Sequence, residues 1–457
     1  MFRRRKLILI FAFIVTYLVT LFLNNKINHQ QAFAMNRTSD NVNWVQEMVK
    51  MDEDCKEDYQ DFFKTNFTEK TLEIEQVVNQ LKNLQQQTEK KTAAIWVWSY
   101  PDSLEVAMIT AQNQPMGGIA LEADALTIDN TVKEYINQLT NPFPPLGIRN
   151  STAYLTPAQK LHRWIIKPLE AQLEAENIDT LIICVGPRLR SIPFAALHDG
   201  HNFLVEKYSI AIVPSFTLTN LDVSPKNQEE VQILAMGTST FEFLSPLPGV
   251  TLEINNIVPA PWNGVKMTEN LFTLDNLKAQ REQQPYEIIH LATHAKFEPG
   301  EPTNSFIQLN DRPLTLNDIR ELNWDNPPVS LLTLSACETA IGDAQAQLGF
   351  GGLAVQSGVR SALGSYWQVS DAGTLALMSE FYQHLKSYQT KTDLLLKSDA
   401  LRDTQISMIN HQVYVNNGQL RSTRGNLALP AVLTEFGDDD LSHPFYWAPF
   451  TIIGSPW

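Results

Sequence analysis

The sequence predicts an α/β fold in which a mostly parallel sheet is flanked by helices. Short segments that are apolar throughout recur at 180–185 (TLIICV), 231–236 (VQILAM), 287–292 (EIIHLA) and 329–336 (VSLLTLSA), with a weaker one at 361–366 (SALGSY). Segments of helical period separate them. Strands apolar on both sides suit a parallel sheet covered by helices on each face. Side chains with chemistry in such sheets sit just past the carboxyl ends of the strands, which decides where to look.

The N-terminus is of another character. Arg3, Arg4, Arg5 and Lys6 precede an uncharged apolar run over 7–23. One reading is a signal peptide cut after the small-x-small triplet Ala32-Phe33-Ala34. The other is an uncleaved signal anchor, since the run is just long enough to span a bilayer. The long gap between run and triplet favours the anchor. A buried core helix is the third reading, and the four basic residues argue against it. With the basic cluster inside, the rest of the chain is expected outside the cytoplasm, membrane-anchored or free in a periplasmic or extracellular space.

Residues 41–91 are polar and rich in Glu, Gln, Lys and Leu, with Val77, Val78, Leu81 and Leu84 on one helical face. One or two amphipathic helices packed on the main domain are expected. In 92–147 the apolar runs 93–98 and 104–110 flank the turn Pro101-Asp102-Ser103, a hairpin pattern, and 118–122 is a candidate third strand. This predicts a small β-rich subdomain that ends at the proline-rich break 141–147. The main domain is 150–457. Its first helix is expected to start at Thr156-Pro157, with Thr as cap and Pro at the first position.

Composition narrows the function classes. Of 457 residues 44% are hydrophobic, enough for a sizeable core, and the formal net charge is −15. That charge argues against a nucleic-acid partner, because neutralising phosphates needs clustered Lys and Arg. The three cysteines, Cys55, Cys184 and Cys337, form no disulfide framework and no zinc-spaced cluster, so no metal or cofactor is indicated. Gly349-Phe-Gly-Gly352 lacks the spacing and lysine of a nucleotide-binding loop.

Two strand ends carry chemistry. The 287–292 strand runs into Thr293-His294-Ala295, and the 329–336 strand into Cys337-Glu338-Thr339. On neighbouring strands, an imidazole and a thiol there form a nucleophilic pair: the imidazole takes the thiol proton and later protonates the leaving amine. The backbone N–H groups of Ala295 and Cys337 are candidate oxyanion donors. The plainer reading is a small buried thiol and an unremarkable histidine. His290 is the rival base; four residues earlier on the strand it lies about 13 Å away, so both cannot serve one thiol.

These segments, His290 to His294 (HLATH) and 334–339 (LSACET), resemble the two signature segments of the CHAT family. So do 367–371 (WQVSD), the arginine-containing turn 189–197 (LRSIPFAAL), 246–249 (PLPG) with Glu253, and 443–447 (HPFYW). The resemblance covers roughly 150–457. It implies a caspase-like cysteine peptidase fold related to separases and gingipains, with His294 as general base and Cys337 as nucleophile. By the same resemblance Asp371 lines a pocket for a basic residue before the cut; its other reading is part of a helix cap. One departure is Ala295, where the family has glycine, which matters if that position needs a positive φ. Glu338 and Asp343 near the thiol would oppose thiolate formation.

The functional expectation is therefore a cysteine endopeptidase acting on a protein or peptide substrate, with cleavage after basic residues. The alternative is a catalytically inactive caspase-like scaffold or interaction module at the membrane. Residues 412–442 are expected to be a surface insertion, with Arg421 and Arg424 as candidate self-cleavage sites.

Overall fold

The structure is a computed structural model that describes residues 42–112, 114–140, 151–223, 230–339, 344–423, 425–433 and 439–457. The chain begins with two helices, α1 (Trp44–Phe63) and α2 (Ile74–Thr88). Asn43 caps α1 by accepting a hydrogen bond from the Gln46 N–H. Strands β1 (Thr92–Ser99), β2 (Leu104–Thr110) and β3 (Met116–Ala120) follow, then helices α3 (Ala125–Thr140), α4 (Leu155–Ile165) and α5 (Lys167–Glu176). Helix α4 starts at Leu155, ahead of the expected Thr156 cap, because the Leu155 N–H already turns back onto the Thr152 carbonyl.

Beyond it come β4 (Thr180–Val185), α6 (Leu204–Lys207), β5 (Ser209–Val213), β6 (Ile233–Gly237), α7 (Val250–Ile257), β7 (Gly264–Thr268) and α8 (Leu274–Gln283). The remaining order is β8 (Ile288–Phe297), β9 (Phe306–Gln308), β10 (Pro313–Thr315), α9 (Leu316–Arg320), β11 (Leu331–Thr339), α10 (Ala344–Gly351), α11 (Leu353–Ser357) and β12 (Ser361–Ser365). Helices α12 (Asp371–Thr392) and α13 (Lys397–Ile409) lead to β13 (Tyr414–Asn416), β14 (Gln419–Ser422), β15 (Gly425–Ala428), β16 (Asp439–Asp440), α14 (Pro444–Trp447) and β17 (Phe450–Gly454).

Among the described residues, 13 strands make one sheet in the order β10-β9-β8-β11-β12-β17-β5-β4-β1-β2-β3, with β6 on β8 and β7 on β6. Two parallel blocks compose it. Strands β7, β6, β8, β11 and β12 are parallel, as are β17, β5, β4 and β1, and the blocks meet at the antiparallel pair β12–β17. This is the mostly parallel, helix-flanked sheet expected of a caspase-like fold. The β-rich region expected over 92–147 is continuous with it, because β1 pairs in parallel with β4 from Thr92–Thr180 to Val97–Val185. Segment 412–442 holds ordered strands: β13 to β16 form a separate four-stranded antiparallel sheet. Arg421 lies on β14, and Arg424 lies outside the described residues.

Residue alternation along β1 explains the layers. Ile95 and Val97 join the core under α3, α4 and α5, whereas Ala94 and Trp96 face the cluster built by α1 and α2. Met48, Met51, Cys55 and Tyr59 line the buried side of α1 at helical spacing. Full burial of a methionine of this kind contributes roughly 1.5–3 kcal/mol. Asp52 on the same side ties α1 to the chain after β5. It accepts hydrogen bonds from Trp96 Nε1 (3.2 Å), the Phe216 N–H (2.7 Å), the Thr217 N–H (3.1 Å) and the Thr217 hydroxyl (2.6 Å). Among the described residues no helix is long and apolar enough to cross a membrane. The N-terminal run on which the signal or anchor reading rests lies outside them.

Candidate active site

The two strands that carry the candidate dyad are neighbours. β8 and β11 pair in parallel from Ile288–Leu331 onward, with a register shift between Leu334 and Ala336. Leu334 faces Leu291, but Ala336 faces His294, so β8 holds one residue more than β11 across this stretch. Such a bulge re-aims side chains next to it. The sequence pattern places His294 and Cys337 just past the strand ends; both instead lie within strands, which run on to Phe297 and Thr339. The added length has a physical source. β8 pairs with β6 as far as Ala292, then takes β9 as a new partner from Ala295, while β11 continues alongside. His294 falls in the interval between the two partners and is half-buried, while Thr293 and Ala295 are buried.

In register, His294 faces Ala336 and Ala295 faces Cys337. The Cys337 backbone is thus placed beside Ala295, and its side chain lies outside the described residues, as do the side chain of Glu338 and all of Asp343. Ala295 sits in extended backbone and is absent from the positive-φ positions, so its methyl meets no conformational obstacle there.

The imidazole of His294 is held from the loop after β6. Its Nε2 is 2.8 Å from the Ser245 carbonyl oxygen, and its ring rests on Phe241 with centroids 4.7 Å apart. A carbonyl only accepts, so Nε2 carries the hydrogen and Nδ1 is left as the basic nitrogen. Glu269 anchors the root of this loop by accepting from the Ser239 N–H and from the hydroxyls of Thr238, Ser239 and Thr240. Burial works against the charge on Glu269, yet these hydrogen bonds outweigh it and hold the carboxyl below its ordinary range.

Asp371 closes the other side. It is the first residue of α12, and the cap itself is Ser370, whose hydroxyl accepts from the Gly373 N–H. The Asp371 carboxylate accepts from the Gly249 N–H at 3.1 Å. One loop therefore grips His294 by its Ser245 carbonyl and Asp371 by its Gly249 amide. Burial pushes the Asp371 carboxyl up, with Glu253 adding to the rise; the Gly249 hydrogen bond and nearby His294 act against it.

His290 is fully buried. Its Nδ1 is 3.0 Å from the Tyr382 hydroxyl, which donates to Thr333 at 2.9 Å. Its Nε2 is 2.8 Å from Glu253 Oε1, off the line of an aligned hydrogen bond, and the same oxygen accepts from the Ser335 hydroxyl at 2.5 Å. Thr333, Ser335, Glu253, His290 and Tyr382 thus form a buried polar chain between α7, α12 and strands β8 and β11. Glu253 and Ser335 were visible in the motifs; Tyr382 and the Ser245 carbonyl gave no signal.

The glycines at 349–352 have a packing role. A Cβ on Gly351 would stand 2.6 Å from the Tyr59 hydroxyl, and one on Gly352 2.4 Å from Phe63 Cε2. They let the end of α1 lie against the chain that leaves Cys337. Among the described residues no group of three or more His, Cys, Asp or Glu could hold a metal ion.

A parallel α/β sheet that carries a histidine and a cysteine on adjacent strands defines the caspase-like class of peptidase fold. This chain belongs to the CHAT domain family, whose model matches residues 155–455. No curated protein matches it in sequence. Among solved structures it is similar to two crystal structures of the Saccharomyces cerevisiae separase–securin complex. In one the identity is 11% and the TM-score 0.45, over 84% of this chain and 32% of that one; in the other they are 11% and 0.46, over 90% and 33%. It is also similar to a complex of the Porphyromonas gingivalis RgpB pro- and mature domains, at 10% identity and TM-score 0.40, covering 72% of this chain and 75% of that one. The chain spans about a third of the separase chains it matches.

Proposed function

We propose that this chain is an exported cysteine endopeptidase that cleaves protein or peptide substrates after basic residues. The observation that carries the reading is the His294 imidazole, fixed through Nε2 by the Ser245 carbonyl on the strand next to the one that bears Cys337. In this mechanism Nδ1 of His294 takes the thiol proton of Cys337, the sulfur attacks the scissile carbonyl, and the proton passes to the leaving amine. Water then hydrolyses the thioester, with His294 as base. The Ala295 and Cys337 N–H groups are the oxyanion donors of the reading. Asp371 supports the basic preference, as a carboxylate at the N-terminus of α12 joined to the His294 loop. Export rests on the basic cluster and apolar run at the N-terminus.

A second reading, a non-catalytic module that keeps the fold for protein recognition, is favoured by the register. A regular pleat alternates faces at each residue, and His294 and Cys337 are one position out of step. Ala295 is also paired in the sheet on both sides, with Cys337 and Ile307. Catalysis therefore requires the backbone to depart from the regular pleat beside the bulge.

The full-length protein separates the two. A peptide screen with Arg, Lys, Asp, Asn or Leu before the cut is expected to give turnover after Arg and Lys, together with labelling by a thiol-directed peptide probe. Labelling that persists unchanged in Cys337→Ala, or turnover that survives His294→Ala, would sink the peptidase reading.

A further inference from the structure

Two of the three cysteines have no part in that chemistry. Cys55 lies on the buried side of α1 and Cys184 near the end of β4, positions 129 residues apart in the chain. Their sulfurs are 3.0 Å apart, and both residues are 1% exposed. Among the described residues each thiol otherwise reaches a main-chain carbonyl, Val185 for Cys55 and Pro214 for Cys184, both at 3.6 Å. A pair of thiols in van der Waals packing alone has no need of so close an approach, and a small aliphatic side chain would fill either place.

We propose that Cys55 and Cys184 are a disulfide-forming pair that fastens helix α1 to the central sheet, leaving Cys337 as the one free thiol. The odd cysteine count then has a reason: two residues form a structural cross-link and the third is kept apart for nucleophilic work. The bond suits the oxidising space into which a basic, apolar N-terminus would deliver the chain. It does not depend on peptidase activity.

The reaction is a thiol–disulfide exchange. A thiolate of one cysteine attacks oxidised glutathione and releases one glutathione thiol; the other cysteine then attacks the mixed disulfide and releases the second. The protein loses two hydrogens and two electrons, and glutathione disulfide gains them. Burial pushes the Cys184 thiol well up, which disfavours attack once α1 has docked. The bond therefore forms as α1 packs and is afterwards shielded from reductants.

The test uses the full-length chain carrying Cys337→Ala, so that only the pair remains. The protein is refolded from denaturant in a buffer of oxidised and reduced glutathione, then denatured and alkylated. Neither cysteine is expected to take up the alkylating agent, and proteolysis should release one peptide pair joined through Cys55 and Cys184. The oxidised form should melt several degrees above the reduced form, a difference absent in Cys55→Ser and in Cys184→Ala. Complete alkylation of both thiols after oxidative refolding would overturn the proposal. So would mixed disulfides with glutathione alone, or, in the chain that retains Cys337, a cross-link from Cys337 to either partner.

Discussion

The Ser245 carbonyl oxygen lies 2.8 Å from His294 Nε2, and that contact assigns the two ring nitrogens their roles. With Nε2–H donating outward to the loop, Nδ1 is the acceptor, the nitrogen that the proposed mechanism uses as base. Replacing His294 by Ala should lower kcat by about two to four orders of magnitude, the usual worth of a general base. Because the ring is only half-buried, the urea midpoint should move little. Loss of activity accompanied by a large drop in that midpoint would point to a folding defect instead. Peptide hydrolysis and urea unfolding on the same preparations check both.

Asp371 is tied to the same loop through Gly249, and Asp371→Asn keeps the shape while removing the charge. For substrates with Arg or Lys before the cut, kcat/KM should fall about 10- to 100-fold through loss of a charge-assisted contact. Leu substrates should change little. Burial raises the folded-state pKa of this carboxyl. The stability it contributes is then fully present below the unfolded pKa near 4 and is lost as pH rises through the folded value. Relative to wild type, D371N should therefore gain stability between acid and neutral pH, read from urea midpoints across that range.

Asp52 brings four donors together, from Trp96, Phe216 and Thr217, and holds α1 on the sheet. Asp52→Ala would leave these donors buried without an acceptor, at roughly 1–3 kcal/mol for each that water does not reach. A loss of several kcal/mol in unfolding free energy is expected, with release of α1 detected as faster amide exchange over residues 44–63. Asp52→Asn should be milder, because one carbonyl oxygen still accepts.

Gly352 meets Phe63 where α1 crosses the chain beyond Cys337. The added methyl of Gly352→Ala falls 2.4 Å from Phe63 Cε2 and 2.8 Å from the Leu348 carbonyl oxygen. Overpacking of this kind costs about 1–3 kcal/mol. The single variant should lose stability and slow the labelling of Cys337. Phe63→Ala in the same chain should restore part of the labelling rate, since the ring is the side-chain obstacle. A double variant no better than the single would place the clash at the Leu348 carbonyl.

Apolar runs such as Thr180–Val185 announced the parallel sheet, because a strand covered on both faces has no polar side to show. His294 and Cys337 were legible for a similar reason: each follows such a run within a short, distinctive string. Helix limits were read less well. Helix α4 starts at Leu155 rather than at the expected Thr156 cap, because the Leu155 N–H already turns back onto the Thr152 carbonyl.

What the sequence by itself determined is the class of sheet, the two strands that carry His294 and Cys337, and family membership, all written in local runs of a few residues. Tertiary structure alone decided the rest, because those features depend on pairing between distant segments or on groups without a side-chain letter. Strand β1 joins β4 across 88 positions, from Thr92 to Thr180, and so draws β1, β2 and β3 into the main sheet. The exchange of β6 for β9 as partner carries β8 through His294 and sets that ring at the gap. A main-chain carbonyl at Ser245 orients the His294 ring, and the meeting of Cys55 with Cys184 rests on the docking of α1.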